Sequence, residues 1–176
     1  MTNRLSPGLT VAISILVAAI MSSMAAGSFA VAGDFPLADQ VVVEKGKRKL
    51  HLVRDGKFFR TFDIALGMSP VGNKSKEGDQ RTPEGVYKLD MRNPDSDFFL
   101  SIHISYPNGA DRSTARAKGL DPGGQIMIHG QPNEPTYSEA YYAKEDWTNG
   151  CIAVSNSDMI DIWLMTPDVV QIEIRP

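Results

Sequence analysis

Cysteine and histidine are scarce in this sequence, which has one cysteine, Cys151, and three histidines among 176 residues. A single cysteine excludes a disulfide within the chain, because a disulfide needs two thiols. The four residues show none of the spacings that zinc sites use, and no P-loop or dinucleotide-binding glycine pattern occurs. A formal net charge of −3 leaves no basic excess to attract nucleic acid or an anionic membrane surface. The sequence therefore predicts a protein without a metal, a nucleotide cofactor or a nucleic-acid partner.

Charged residues are absent between Arg4 and Asp34. The stretch is apolar at first and ends with the small residues Ala30-Val31-Ala32, which is the pattern of a secretory signal peptide. We expect residues 1–32 to be this peptide, with cleavage before Gly33 and export to the periplasm. The apolar part is also long enough to span a bilayer uncleaved, which takes roughly 20 residues. A signal anchor is therefore the alternative, and it would be the only contact with a membrane.

The remaining chain predicts one domain at residues 41–176, preceded by a short lead-in at residues 33–40. Alternating apolar and β-branched segments are typical of strands, and an Asp-Gly pair at residues 55–56 predicts a tight β-hairpin. Apolar periodicity after a Ser or Asn indicates helices. The expected strands are residues 41–43, 49–53, 58–66, 86–90, 100–106, 125–129 and 169–174, and the expected helices are residues 138–143 and residues 155 or 156 to just before Pro167. This pattern favours a mainly β, α+β domain with short helices.

A segment rich in glycine, proline and charge, residues 67–85, predicts a surface loop. A loop of that length in a small domain is typical of functional segments. The basic side chains of this loop and of the segment that follows are expected to be solvated surface charges. The alternative is that one or two of them bind a substrate carboxylate. The side chains concerned are Lys74, Lys76, Arg81, Arg112 and Arg116.

Cys151 follows a glycine in the segment Trp147-Thr148-Asn149-Gly150-Cys151. Glycine permits a sharp turn of the backbone, and N–H groups around Gly150 and Cys151 could converge on an anion, as an oxyanion hole requires. A lone thiol in an exported protein indicates a nucleophile. The alternative is that Cys151 is a small buried hydrophobic residue.

A cysteine nucleophile needs a base, and the candidates are His51, His103 and His129. His129 ends the apolar run at residues 126–128 and precedes Gly130, so we expect its ring at the mouth of a buried strand, where catalytic groups are displayed. A core histidine that donates to a backbone carbonyl is the alternative. His103 and His51 alternate with apolar neighbours. We expect His103 on a solvated or groove-facing side of its strand and His51 exposed.

Two blocks of the sequence occur together in one protein family. Ile128-His129-Gly130, followed by Thr148-Asn149-Gly150-Cys151-Ile152, resembles the His-Gly and Ser/Thr-x-Gly-Cys-Ile/Val signature of the YkuD-type L,D-transpeptidase catalytic domain, in a branch that reads Asp-Trp-Thr-x-Gly-Cys-Ile-Ala-Val. The resemblance covers residues 41–174. It implies a flattened β-sandwich-like domain with a mixed sheet. Further blocks that resemble the family are residues 65–67, 81–85, 103–107 and 121–124.

The resemblance also implies a reaction. Cys151 would attack the diaminopimelate carbonyl of a peptidoglycan tetrapeptide stem, release D-alanine and form a thioester. An amine would then take the acyl group, either from a second stem, giving a 3-3 crosslink, or from a lysine of a wall-attached lipoprotein. His129 would be the base, no cofactor would be needed, and Thr148, Asn149 and Gly150 would support the oxyanion site and the turn. The residues expected to contact substrate are Gly130, Arg81, Arg112, His103 and Tyr106.

Two positions depart from the pattern of that family. Many members have His where Asn149 stands and Arg where Ala153 stands, so carboxylate recognition would fall to another cation, with Arg81 and Arg112 as the candidates. A hydrolase or amidase with the same catalytic pair is one alternative, because some relatives with altered motifs hydrolyse. A non-catalytic wall-binding module is an alternative of another class. Papain-like peptidases are disfavoured, because they place the cysteine before the histidine.

Overall fold

Apolar strand segments pair into one eight-stranded mixed sheet within Phe35–Pro176, the residues that the computed structural model describes. The strands are β1 (Gln40–Glu44), β2 (Lys49–Arg54), β3 (Lys57–Asp63), β4 (Gly85–Ser96), β5 (Phe99–Ile104), β6 (Met127–His129), β7 (Ile152–Ala153) and β8 (Val170–Arg175). Their order across the sheet is β3-β2-β1-β8-β4-β5-β6-β7. The β1–β8 and β6–β7 pairs are parallel, and the other pairs are antiparallel. The fold confirms the expected α+β class.

Short α-helices flank the sheet. They are α1 (Gly109–Ala117), α2 (Glu139–Lys144) and α3 (Asn156–Met165), and a 3-10 turn at Lys45–Lys47 precedes β2. The core is formed by the strands together with α3, whose Met159 and Ile162 side chains are 0% exposed. Full burial of an apolar side chain of this size contributes about 1.5–3 kcal/mol. No helix within the described range is long and apolar enough to cross a membrane. The expected signal peptide at residues 1–32 lies outside the described residues.

The turn and cap residues form as their sequence predicts. Asp55 and Gly56 have φ values of 51° and 70°, and positive φ at both central residues is what the tight turn of a twisted hairpin requires. The Ser155 side chain accepts a hydrogen bond from the backbone N–H of Asp158 and so caps α3. Ser138 caps α2 in the same way. The hairpin and both predicted helices are therefore confirmed, with bounds that differ by a few residues.

One helix was not predicted, and one expectation about local structure is wrong. The sequence patterns indicated no helix at α1, which is stabilised by a capping box between Asn108 and Asp111. His51 is 6% exposed rather than solvated, with its Nε2 atom 3.1 Å from a Glu44 carboxylate oxygen and its ring stacked on Phe58 at 4.2 Å. Alternation failed there because β2 is covered on both faces, so that polar and apolar neighbours are buried together.

Candidate active site

The end of β6 and the start of β7 bring His129 and Cys151 to one cavity. Parallel pairing of Ile128 with Ile152 and of His129 with Ala153 places the two strands side by side, and Cys151 immediately precedes β7. The cavity has a volume of about 380 Å³ and is lined by Cys151, His129, Phe98, Ser101, Gln125 and Trp147, among others. Within residues 35–176, no group of three or more His, Cys, Asp and Glu side chains is arranged to hold a metal ion.

The His129 ring is buried and held in one tautomer. Its Nδ1 atom lies 2.7 Å from the carbonyl oxygen of Gly130, and because a carbonyl can only accept, Nδ1 carries the proton and Nε2 has the free lone pair. The ring packs against Phe98 and Trp147, with centroids 4.6 and 5.6 Å away. Burial lowers the pKa of His129 to about 4, although the bond to Gly130 opposes this shift. At neutral pH, His129 is therefore an uncharged imidazole that can accept a proton.

The Cys151 thiol is free and partly exposed. Its Sγ atom lies 3.6 Å from the carbonyl oxygen of Gln125, to which the thiol can donate. Burial raises the pKa of Cys151, while a hydrogen bond with the Met127 backbone and the positive charge of Lys74 act in the opposite direction. Both His129 and Cys151 are thus held in their neutral forms. Such a pair suits a mechanism in which the base removes the thiol proton as the sulfur attacks, rather than one that starts from a preformed ion pair.

A turn around Gly150 fixes the position of Cys151. The Thr148 hydroxyl donates to the carbonyl oxygen of Cys151 at 2.7 Å and accepts from the Gly150 N–H at 3.1 Å. Gly150 has a φ of 123°, and a Cβ atom there would lie 2.6 Å from the Arg81 carbonyl oxygen, so only glycine fits. The Gly150 N–H is engaged inside the turn. Of the two amides expected to bind an oxyanion, the Cys151 N–H is the one left for that role.

The segment before the turn is anchored by a partly exposed ion pair. Asp146 accepts from the Leu66 N–H at 2.9 Å and lies 2.6 Å from an Arg48 guanidinium nitrogen. The Thr148 N–H donates to the Leu66 carbonyl at 3.1 Å. At Gly67, an added Cβ would lie 2.1 Å from the Gln80 carbonyl oxygen. Residues 65–67, one of the blocks that resemble the family, therefore pack against the cysteine segment and hold it in place.

Three of the expected substrate contacts are occupied within the protein. A Cβ atom on Gly130 would lie 2.5 Å from the Asn156 side-chain oxygen, so this glycine permits close packing beside His129. Tyr106 is 3% exposed, and its hydroxyl donates to the Pro122 carbonyl oxygen at 3.0 Å. The Nδ1 atom of His103 lies 2.7 Å from an Asp90 carboxylate oxygen. Their contact with substrate stays a prediction.

Neither of the two arginines expected to bind a carboxylate is among the residues that line the two cavities at Cys151. The Arg81 guanidinium donates to the Asn73 carbonyl at 3.3 Å. Arg112 lines a separate cavity of about 480 Å³ together with Arg116. The structure does not bring either guanidinium into a cavity that contains Cys151, so their role also stays a prediction.

Cys151 also lines a second cavity, whose wall is formed mainly by charged, polar and glycine residues. Its volume is about 480 Å³, and Lys74, Glu77, Gly124 and Gln125 are among the residues that line it. Asn149 is exposed and lines both cavities. Lys74 is only 6% exposed, so the expectation that it is a solvated surface charge is wrong. Nothing in the sequence around Lys74 signalled its burial, since the loop has no apolar period.

Other residues of the site were also missed at the level of the sequence. Phe98 and Trp147 form the aromatic wall beside the His129 ring. Ser101 pairs with His129 across β5 and β6, and its buried hydroxyl has no hydrogen-bond partner among the described residues. Trp147 adjoins the cysteine motif and could have been suspected from that position. Ser101 reaches the cavity through strand pairing and Phe98 through the turn between β4 and β5, and single-residue patterns show neither.

The strand scaffold places a cysteine and a histidine in one cavity, and comparison with known proteins gives the family. The sequence profile of the L,D-transpeptidase catalytic domain, the YkuD family, matches residues 38–174. The chain belongs to this family.

The individual relatives share about a third of their aligned residues with this chain, or fewer. The Escherichia coli (strain K12) protein YafK, itself named only as a candidate L,D-transpeptidase, is 33% identical over 96 residues, which are 51% of this chain and 37% of YafK. The crystal structure of the helical cell shape determining protein Pgp2 from Campylobacter jejuni superposes with a TM-score of 0.57 at 28% identity and covers 77% of this chain and 46% of Pgp2. Bd1075 from Bdellovibrio bacteriovorus shares the fold with a TM-score of 0.56 at 23% identity, over 78% of this chain and 48% of Bd1075. The chain thus spans about half, or less, of the length of these relatives.

Proposed function

We propose that the protein is a peptidoglycan L,D-transpeptidase that works through a thioester on Cys151. The observation that carries the proposal is that the Cys151 thiol and the His129 ring line one cavity, with the free lone pair of His129 on Nε2. Membership of the L,D-transpeptidase domain family supports the reaction class. The aromatic wall of Phe98 and Trp147 supports the same reading, because it keeps the base uncharged and able to accept a proton.

The proposed first half-reaction acylates the enzyme. Nε2 of His129 takes the thiol proton while Sγ of Cys151 forms a bond to the diaminopimelate carbonyl carbon of a tetrapeptide stem. The negative charge that develops on the carbonyl oxygen is stabilised by the Cys151 N–H. Collapse of this intermediate breaks the bond to D-alanine, whose nitrogen takes the proton from His129. A thioester and free D-alanine result.

The proposed second half-reaction transfers the acyl group. An acceptor amine gives a proton to Nε2 of His129 as it attacks the thioester, and the Cys151 sulfur leaves and is reprotonated. The acceptor is the diaminopimelate amine of a second stem or a lysine of a wall-attached lipoprotein. Water in the same place would give hydrolysis, the alternative that the Asn149 and Ala153 departures leave open. The likeness to a protein named for helical cell shape supports a role in shaping the wall.

Product analysis tests the proposal. Folded protein is incubated with a defined tetrapeptide stem, and released D-alanine and peptide masses are measured. Transpeptidation gives a crosslinked dimer, and hydrolysis gives a tripeptide acid. Both should disappear in Cys151→Ala. If the folded protein releases no D-alanine and binds isolated sacculi equally well with and without Cys151, a non-catalytic wall-binding module becomes the better account.

We also propose that residues 1–32 direct export to the periplasm, where the stems are found. The uncharged stretch that ends at Ala30-Val31-Ala32 supports this. N-terminal sequencing of protein recovered from the cell envelope should begin at Gly33. A chain that keeps Met1 and sediments with membranes would indicate a signal anchor instead.

A further inference from the structure

The second cavity at Cys151 contains a buried cation. Only 4% of the Lys74 side chain is exposed. Its Nζ atom donates to an Asp79 carboxylate oxygen at 2.9 Å and to the Lys76 carbonyl at 3.1 Å. An ammonium group has three N–H donors, so a third remains beyond these two partners. A buried ammonium with an unused donor beside an open cavity is suited to binding an anion.

Asp79 holds Lys74 in place and is itself fully occupied. Besides the Lys74 ammonium, its carboxylate accepts the backbone N–H groups of Ser75, Lys76 and Arg81 at 2.7–3.1 Å. These bonds lower the pKa of Asp79 to about 2 against the opposing effect of burial. The Asp79 carboxylate therefore stays ionised. Its bonds to the loop backbone and to Lys74 hold the Lys74 ammonium in place beside the cavity.

A negative charge lines the same cavity. Glu77 is exposed and lies among the lining residues with Lys74 and Cys151. A Cβ atom on Gly123 would lie 3.1 Å from the Glu77 Cβ, and the Glu77 N–H donates to the Asp121 carbonyl at 2.8 Å, so the Glu77 backbone is fixed against the opposite loop. A simple carboxylate ligand would be attracted by Lys74 and repelled by Glu77. A ligand that carries both an ammonium and a carboxylate would match the two charges.

We infer that the Lys74–Glu77 cavity binds a zwitterionic α-amino-acid head group, with the carboxylate at Lys74 and the ammonium at Glu77. The inference rests on the proposed function, because the side chain of diaminopimelate ends in such a group and Cys151 opens onto this cavity as well as onto the aromatic one. It assigns substrate recognition to the loop at residues 74–79 in place of Arg81 and Arg112. Lys74 and Glu77 then determine which stems reach the sulfur.

Binding without catalysis tests the inference. The dissociation constant of a diaminopimelate tetrapeptide is measured by calorimetry on Cys151→Ala, which cannot be acylated, and on the same protein with Lys74→Met, Glu77→Gln or the exposed control Lys57→Met. Charged hydrogen bonds of this kind correspond to roughly 10- to 100-fold in affinity. We expect a loss in this range for Lys74→Met, a smaller loss for Glu77→Gln, because Glu77 is exposed, and none for the control.

A second measurement changes the peptide instead of the protein. A tetrapeptide whose side-chain carboxylate is amidated should bind Cys151→Ala roughly 10- to 100-fold more weakly than the unmodified peptide does, and this comparison needs no Lys74 variant. Equal affinity for the two peptides, or no saturable binding of either, overturns the inference. Failure of the proposed function is seen separately, as the absence of D-alanine release by unmodified protein.

Discussion

The Nδ1–H of His129 donates to the carbonyl oxygen of its own neighbour, Gly130, at 2.7 Å. This bond leaves Nε2 unprotonated and sets the direction in which the ring can accept a proton. Because the ring is 4% exposed, the bond also compensates for the loss of water around Nδ1. A local contact between consecutive residues therefore decides which nitrogen can serve as the base.

The pH dependence of thiol reactivity follows from this environment. Burial raises the pKa of Cys151 and lowers that of His129 to about 4, so both shifts disfavour a thiolate–imidazolium pair. We expect the rate of Cys151 alkylation by iodoacetamide to be low from pH 5 to pH 7 and to rise steadily above pH 8. A rate plateau between pH 5 and pH 7 would contradict the account, because it would report a preformed ion pair.

The Thr148 hydroxyl is expected to act by fixing the cysteine turn. Thr148→Val removes the bonds to the Cys151 carbonyl and the Gly150 N–H, and we expect it to reduce the free energy of unfolding by about 1–3 kcal/mol. Displacement of the sulfur should slow acylation by a carbapenem roughly 10- to 100-fold. Thr148→Ser keeps the hydroxyl and should stay close to the unmodified protein. Equal acylation rates for all three proteins would show that the turn does not need this hydroxyl.

Gly150 is expected to tolerate no side chain. Gly150→Ala would place a Cβ atom 2.6 Å from the Arg81 carbonyl oxygen at a φ of 123°, and we expect a loss of more than about 2 kcal/mol in unfolding free energy. Gly109→Ala is the matched control, because a Cβ there meets nothing within 4 Å at the start of α1. It should change stability by less than about 1 kcal/mol. Similar melting temperatures for the two variants would argue against the crowding at Gly150.

Local chemistry made much of the fold predictable. The Asp55-Gly56 turn and the Ser155 cap each depend on one or two residues, and both were recognisable in the sequence. Helix α1 was missed although it has a capping box, because Asn108 stands in a segment of glycine and proline that is typical of loops. Strand β2 was predicted, but the burial of His51 depends on what covers the sheet, which alternation does not report.

The candidate site was predictable to a similar extent. The sequence indicated Cys151 and His129 as a pair, and their common cavity depends on the pairing of β6 with β7. The tautomer of His129 follows from its contact with the Gly130 carbonyl, which the sequence does not show. Burial of Lys74 depends on Asp79, five residues away in a loop without periodicity. Composition alone makes such a lysine look like a solvated charge.

Intact-protein mass spectrometry after incubation with a carbapenem tests the central claim most directly, namely that Cys151 is acylated with the help of His129. We expect a mass gain of one carbapenem molecule on the unmodified protein, no gain on Cys151→Ala, and a gain that appears at least roughly 100-fold more slowly on His129→Ala. Folded protein that gains no mass, or a gain that persists in Cys151→Ala, would contradict the account.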